Sequence, residues 1–130
     1  MARIIIADDD PIIGELVSNA LIDAGHGVGW VADGATALAV MRRRPPNLAI
    51  IDCAMPGLAG IQLLRQMRVE PGLCQVPVLM LTARSGERDE AIAYGAGADD
   101  YLTKPVDLDQ LVGRVSAILL RPRQVFAATG

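Results

Sequence analysis

Ile4-Ile5-Ile6-Ala7-Asp8-Asp9-Asp10-Pro11 decides how the rest of this chain is read. An unbroken apolar run is a strand covered on both faces, and three aspartates follow it at once. Carboxylates crowded this tightly repel one another, a cost that falls sharply when a divalent cation binds between them. The pattern recurs downstream. Leu48-Ala49-Ile50-Ile51 runs into Asp52, Val78-Leu79-Met80-Leu81 into Thr82, and Tyr101-Leu102-Thr103 into Lys104. Carboxylates, a hydroxyl and an ammonium meeting at one edge of a sheet would suit a bound metal and a phosphoryl group. Asp10, just before Pro11, reads as a helix N-cap.

Helical stretches separate these strands. The first helix is predicted over 11–24, where Ile12, Ile13, Leu16, Val17, Ala20 and Leu21 fall at 3.6-residue spacing and Gly25 ends the run. A weaker strand over 27–32 leads to a helix over 34–43, stopped by Pro45-Pro46. Strands over 47–52, 77–82 and 100–103 alternate with helices over 58–68, 86–95 and 108–120. Such alternation predicts an α/β fold, a doubly wound five-stranded parallel sheet with helices on both faces. One domain covers 1–121, with 122–130 as a short tail. In sheets of this kind ligands bind beyond the carboxyl ends of the strands, where all four polar groups lie.

Composition narrows the function classes. The 130-residue chain is 52% hydrophobic but has one Phe, one Trp and two Tyr, so its core is aliphatic. A net charge of -3 gives no basic footprint, which argues against direct nucleic-acid binding by this domain. Cys53 and Cys74 lack metal-ligand spacing and make no disulfide framework, which points to a reducing cytoplasm. No apolar stretch spans a bilayer and no signal peptide opens the chain, so the expectation is a cytoplasmic protein without a membrane partner. His26 is expected in a surface turn, Cys53 as a small packed thiol, and Arg42-Arg43-Arg44 as a solvated helix end.

If Asp9 and Asp52 share one pocket, together they suit Mg²⁺, which takes one or two carboxylates and keeps several waters. Asp8 would hold a metal-bound water. A carboxylate beside that metal can act as a nucleophile toward phosphorus, giving an acyl phosphate. Lys104 would supply a cation to one phosphoryl oxygen and Thr82 a hydrogen bond to another. Asp52, ending the most buried strand, is the candidate nucleophile.

Four segments together carry a resemblance. They are 5–11, ending in the aspartate triplet and Pro11; Ile50-Ile51-Asp52-Cys53-Ala54-Met55-Pro56 with Gly60; Leu81-Thr82-Ala83; and Tyr101-Leu102-Thr103-Lys104-Pro105. In this order they resemble the receiver domain of two-component response regulators, over about residues 2–121. The resemblance implies a flavodoxin-like strand order, 2-1-3-4-5. It also implies that Asp52 takes a phosphoryl group from a phosphohistidine on a sensor histidine kinase or a histidine phosphotransfer protein. Asp9, Asp52 and the backbone carbonyl of Ala54 would bind Mg²⁺, for which Mn²⁺ can substitute, with Asp8 acting through water. Thr82 and Lys104 would contact the phosphoryl group. Thr82 then shifts, the Tyr101 ring turns inward, and the surface of the fourth helix, fifth strand and fifth helix changes for a downstream protein target. Lys104-Pro105 resembles the family's cis peptide. Such a protein is not an enzyme beyond catalysing its own phosphorylation and dephosphorylation.

The sequence departs from the family pattern in two places. Ala54 and Arg84 occupy positions that tune phosphoryl lifetime. Ala54 offers no side chain to orient a hydrolytic water, so slow self-dephosphorylation is expected, with Arg84 leaning over the phosphate. Gly97-Ala98-Asp99-Asp100-Tyr101 and Arg114 resemble receivers that head winged-helix DNA-binding regulators and form phosphorylation-dependent homodimers. Asp100 and Arg114 would make one cross-subunit ion pair there, but Glu90 and Gln110 replace the base and acid of a second. The chain is therefore read as a switch acting on partner proteins, or alternatively as the N-terminal receiver of such a regulator with its effector domain missing. An aspartyl-nucleophile phosphatase is disfavoured because it needs a second acid where Ala54 stands. A flavodoxin-like electron carrier is disfavoured because Asp8-Asp9-Asp10 would repel a flavin phosphate. A degenerate receiver is disfavoured because each required position is filled.

Overall fold

The computed structural model describes residues 1–83 and 86–121. Its elements alternate strictly. They are β1 (Arg3–Ala7), α1 (Pro11–Asp23), β2 (Gly27–Val31), α2 (Gly34–Arg43), β3 (Leu48–Ile51), α3 (Gly60–Val69), β4 (Val78–Thr82), α4 (Glu87–Gly95), β5 (Asp100–Thr103) and α5 (Leu108–Leu120). The strands form one parallel sheet in the order β2-β1-β3-β4-β5, the flavodoxin-like arrangement.

Period-two alternation along buried strands divides the core between the two faces of the sheet. Ile5, Ala7, Ala49, Ile51, Val78, Met80 and Tyr101 pack with Ala37, Leu38 and Met41 of α2 and Leu63, Leu64 and Met67 of α3. Ile4, Ile6, Leu48, Ile50, Leu79, Leu81 and Leu102 pack with Val17 and Leu21 of α1 and Leu111, Val115 and Ile118 of α5. Because β1, β3 and β4 are covered on both sides, their side chains are almost wholly apolar until each strand ends. The polar residues beyond those ends therefore gather at one rim.

Helix starts follow the aspartates. The Asp10 carboxylate accepts from the backbone of Ile12 and Ile13, Asp33 from Thr36, and Asp107 from Gln110, each satisfying an N–H left over by the first turn. α3 begins at Gly60, two residues later than its apolar pattern suggests. Gly57 there turns the chain with φ 73° and Ala59 is extended, so residues 57–59 form the entry loop.

Arg42, Arg43 and Arg44 are exposed at the end of α2 as expected, while His26 is less of a surface residue than its turn suggests. His26 is half-buried, and its Nδ1 accepts the backbone N–H of Ala2 at 3.2 Å, tying the turn before β2 to the start of β1. Within that exposed helix end Arg42 also makes a surface ion pair, its Nε and Nη2 donating to the two carboxylate oxygens of Glu70 at 2.8 and 2.7 Å. No helix among the described residues is long and apolar enough to cross a membrane.

Candidate functional site

β1 and β3 lie side by side with Ala7 opposite Ile51, so the residues after each strand leave the sheet together. Asp52 is still tied to the sheet, its N–H donating to Ala7 O at 2.9 Å. Asp8 and Asp52 are 1% and 5% exposed, whereas Asp9 is exposed. One oxygen from each of Asp8, Asp9 and Asp52 can lie within 4.8 Å of the other two. The triplet thus splits by role: Asp8 and Asp9 join Asp52, and Asp10 turns away to cap α1.

Lys104 arrives from the end of β5. Its Nζ is 3.0 Å from Asp8 Oδ2 and 3.5 Å from Asp52 Oδ2. The peptide to Pro105 is cis, and the Lys104 N–H donates to Thr82 O at 2.7 Å, which fastens the end of β5 to the end of β4. Thr82 is 1% exposed at that rim. Burial raises the Asp52 carboxyl above its ordinary value, and the charge of Asp8 pushes the same way, against the Ala54 N–H and Lys104. For Lys104 burial works to lower the ammonium pKa, but Asp8 and Asp52 outweigh it and hold the group above its ordinary value.

A hard divalent cation fits this set. Three carboxylates face one ammonium, leaving negative charge in excess. Asp8 Oδ2 is buried with the Lys104 ammonium 3.0 Å away, an ion pair that leaves the oxygen short of a well-aligned hydrogen bond. All the side-chain donors are oxygens, as Mg²⁺ and Mn²⁺ prefer.

Close backbone approach holds Asp52 from behind. The Gly60 N–H donates to Cys53 O at 3.1 Å, and a Cβ at Gly60 would overlap the carbonyl of Asp52. Cys53 packs against the core beside it. Gly60→Ala is expected to lower stability by about 2 kcal/mol, because backbone rather than a movable side chain must yield. Gly72→Ala, where the added methyl meets open space, should stay within about 0.5 kcal/mol of wild type. Paired urea melts check both, and equal midpoints would refute the steric account.

The remaining candidates divide. Tyr101 is 8% exposed and lies within the core cluster, more buried than an edge-strand tyrosine suggests, so its ring is already inside. Ala54 is exposed, and its N–H donates to Asp52 Oδ1 at 3.3 Å. Arg84 and the tail 122–130 lie outside the described residues. Asp100 and Arg114 do pair, but within one chain, Arg114 Nη1 reaching the two Asp100 oxygens at 2.8 and 2.9 Å. Tyr94 Oη lies 3.4 Å from Asp100 Oδ1, while Glu90 and Gln110 are exposed.

Sequence reasoning missed Trp30. Its indole N–H donates to the backbone carbonyl of Asp8 at 2.8 Å, in a space that Gly14 of α1 leaves open. Strand register places it on the same face as Ile6, but only a contact across 22 residues ties it to the acids.

Comparison with known proteins identifies a family and a shared fold. Residues 4–116 match the response regulator receiver domain family. The DNA-binding dual master transcriptional regulator RpaA of Synechocystis is 38% identical over 125 residues, 96% of this chain and 52% of that protein. The DNA-binding response regulator MtrA of Mycolicibacterium smegmatis is 38% identical over 119 residues, 92% of this chain and 51% of its own. The chain thus spans about half the length of the curated relatives it matches. Among solved structures, the Francisella response regulator 1452 receiver domain superposes with a TM-score of 0.87 at 30% identity, covering 92% of this chain and 97% of that one. Chemotaxis protein CheY4 of Vibrio cholerae gives 0.86 at 30% identity, covering 91% and 98%.

Proposed function

We propose, for a chain that belongs to the response regulator receiver domain family, that it is a switch controlled by phosphorylation of Asp52. The observation that carries this is the convergence of Asp8, Asp9 and Asp52 within 4.8 Å at the carboxyl rim of the sheet, with Lys104 against two of them. An Asp52 carboxylate oxygen attacks the phosphorus of a phosphohistidine on a sensor kinase or phosphotransfer protein. The new O–P bond forms as the P–N bond breaks, and the imidazole leaves. Mg²⁺ held by Asp9, Asp52 and the Ala54 carbonyl, with Asp8 acting through water, would neutralise charge on the transferring group. The chain's own contribution is position and charge, which dominate phosphoryl transfer. Lys104, already between two carboxylates, can turn its ammonium to a phosphoryl oxygen, and Thr82 can offer its hydroxyl to another.

Thr82 sits one strand from Tyr101, with Met80 opposite Tyr101 in the β4–β5 register, so a shift of Thr82 reaches the face of α4, β5 and α5. That face is the proposed output. Transcriptional control, through an effector domain or a separate partner, is favoured by the DNA-binding relatives. A homodimer made through Asp100 and Arg114 would require their present pairing within one chain to open. Ala54 supports a long-lived acyl phosphate, since a methyl group orients no water. A cytoplasmic setting goes with this reading, where Cys53 and Cys74 remain thiols.

Intact mass after incubation with acetyl phosphate and Mg²⁺ tests the proposal. One phosphoryl adduct is expected on the wild type, none after EDTA and none on Asp52→Asn. An adduct of equal yield on Asp52→Asn would place the acceptor elsewhere.

A further inference from the structure

We infer that Trp30 is a positioning residue for the metal site, acting through the Asp8–Asp9 peptide; the inference rests on the reading of the acidic cluster as a Mg²⁺ site. β2 grips Asp8 by both backbone groups. The Asp8 N–H donates to Val31 O at 3.1 Å, and the Asp8 carbonyl accepts the Trp30 indole N–H at 2.8 Å. A peptide unit is planar, so fixing the Asp8 oxygen also fixes the Asp9 nitrogen and the line to its Cα. Asp8 is held a third way, its Oδ1 accepting the Asp10 N–H at 2.9 Å. The Asp9 side chain is exposed, so its direction comes from its own backbone, and that backbone is what Trp30 holds.

The seat of the indole supports a positioning role over simple core filling. Trp30 is 41% exposed, so much of its apolar area stays in water. Gly14 occupies the interior of α1, where glycine weakens a helix by about 1 kcal/mol relative to alanine. A Cβ there would overlap Cε2, Cζ2 and Nε1 of the indole, including the donor atom itself. The glycine thus lets the ring lie flat enough on α1 for its N–H to reach Asp8.

Calorimetric titration of the chain with Mg²⁺ tests the role, using wild type, Trp30→Phe and a chain with benzothienylalanine at position 30. Trp30 is the only tryptophan, so replacement by the isostere alters this one site. The isostere keeps the ring and puts sulfur where the N–H was. Both changes are expected to raise the Mg²⁺ dissociation constant about threefold to tenfold, the worth of one hydrogen bond. In the acetyl phosphate reaction the Mg²⁺ concentration for half-maximal rate should rise by the same factor, with the rate at saturating Mg²⁺ unchanged. A merely structural role would leave that split absent. Should Trp30→Phe not fold, the isostere decides. Unchanged Mg²⁺ affinity in a folded isostere chain overturns the inference while leaving the proposed function standing. A wild type that binds no Mg²⁺ overturns the reading of the acidic site, and this inference with it.

Discussion

Arg68→Ala is expected to lower stability by roughly 3–5 kcal/mol, the cost of stripping a buried charge of its partner. At about 3–6 °C per kcal/mol for a domain of this size, the melting temperature should fall by about 9–30 °C. The Arg68 side chain, 10% exposed, binds three carbonyls in two segments of backbone. Nε and Nη2 donate to Gly97 O at 3.1 and 2.8 Å, and Nη1 donates to Val76 O at 2.7 Å and Cys74 O at 3.3 Å. Nη2 also reaches Asp99 Oδ2 at 3.2 Å, and that same oxygen accepts the Val78 N–H at 2.8 Å. The guanidinium therefore staples the C-terminal end of α3 to the segments that enter β4 and β5. Burial lowers its pKa and Asp99 raises it, but a guanidinium stays protonated at any pH the fold meets. Arg68→Lys should recover only part of the loss, because an ammonium is a point charge and cannot serve three carbonyls in a plane. Asp99→Asn keeps an acceptor for Val78 but removes the counter-charge of a guanidinium still held by its carbonyls, and should cost about 1.5–3 kcal/mol. The damage falls at the amino ends of β4 and β5, far along the strands from Thr82 and Lys104. Whatever fraction remains folded should still take a phosphoryl group on Asp52. Urea melts of the three variants check this, and an Arg68→Ala chain within 1 kcal/mol of wild type would defeat it.

Arg68 also shows what a sequence withholds. β1, β3 and β4 were legible because each is an apolar run that ends at a polar residue, and α1 because its apolar residues recur at helical spacing. Asp8, Asp9, Asp52, Thr82 and Lys104 were legible for a related reason. Each sits at or just beyond the carboxyl end of a strand, and parallel topology sends all such residues to one rim. Arg68, by contrast, reads as one more charged residue near a helix end. Its role depends on carbonyls 6, 8 and 29 residues away, and backbone acceptors carry no residue code. Trp30 and His26 escaped in the same way, through bonds across 22 and 24 residues to the backbone of Asp8 and Ala2. Tyr101 is more buried than its place on the edge strand β5 suggests, because Ala93 of α4 and the rest of that cluster cover its inner face. Periodicity reports which face an element buries, and it says nothing of which side chain serves a distant main chain.

Asp52→Asn should invert its rank against wild type when Mg²⁺ is added. Without metal at neutral pH the variant is expected to be the more stable, by on the order of 1 kcal/mol. That figure is the balance of burial and Asp8 repulsion against the attraction of Lys104. Asparagine still accepts the Ala54 N–H while removing the repelled charge. The sign of the pH dependence follows from Asp52, whose folded pKa is raised above its ordinary value of 3.8 by burial first and by Asp8 second. A raised folded pKa means the folded chain binds this proton more tightly than the unfolded chain does. Its stabilisation is complete below the unfolded pKa and is lost as pH rises through the folded one. The wild type therefore carries the full disadvantage at neutral pH, and the metal-free gap to Asp52→Asn should close as pH falls through the folded pKa of Asp52 toward 3.8. On the proposed reading Mg²⁺ should reverse the order, because it would bind the folded wild type through the same carboxylate. At a hundredfold excess over its dissociation constant it adds about 2.7 kcal/mol to the wild type, and much less to a variant that has lost a ligand charge. Thermal melts of both proteins with EDTA and with Mg²⁺ measure all four values. If Mg²⁺ raised both melting temperatures equally, Asp52 would not be a ligand; if the variant melted lower in EDTA, Lys104 would outweigh Asp8 and burial together.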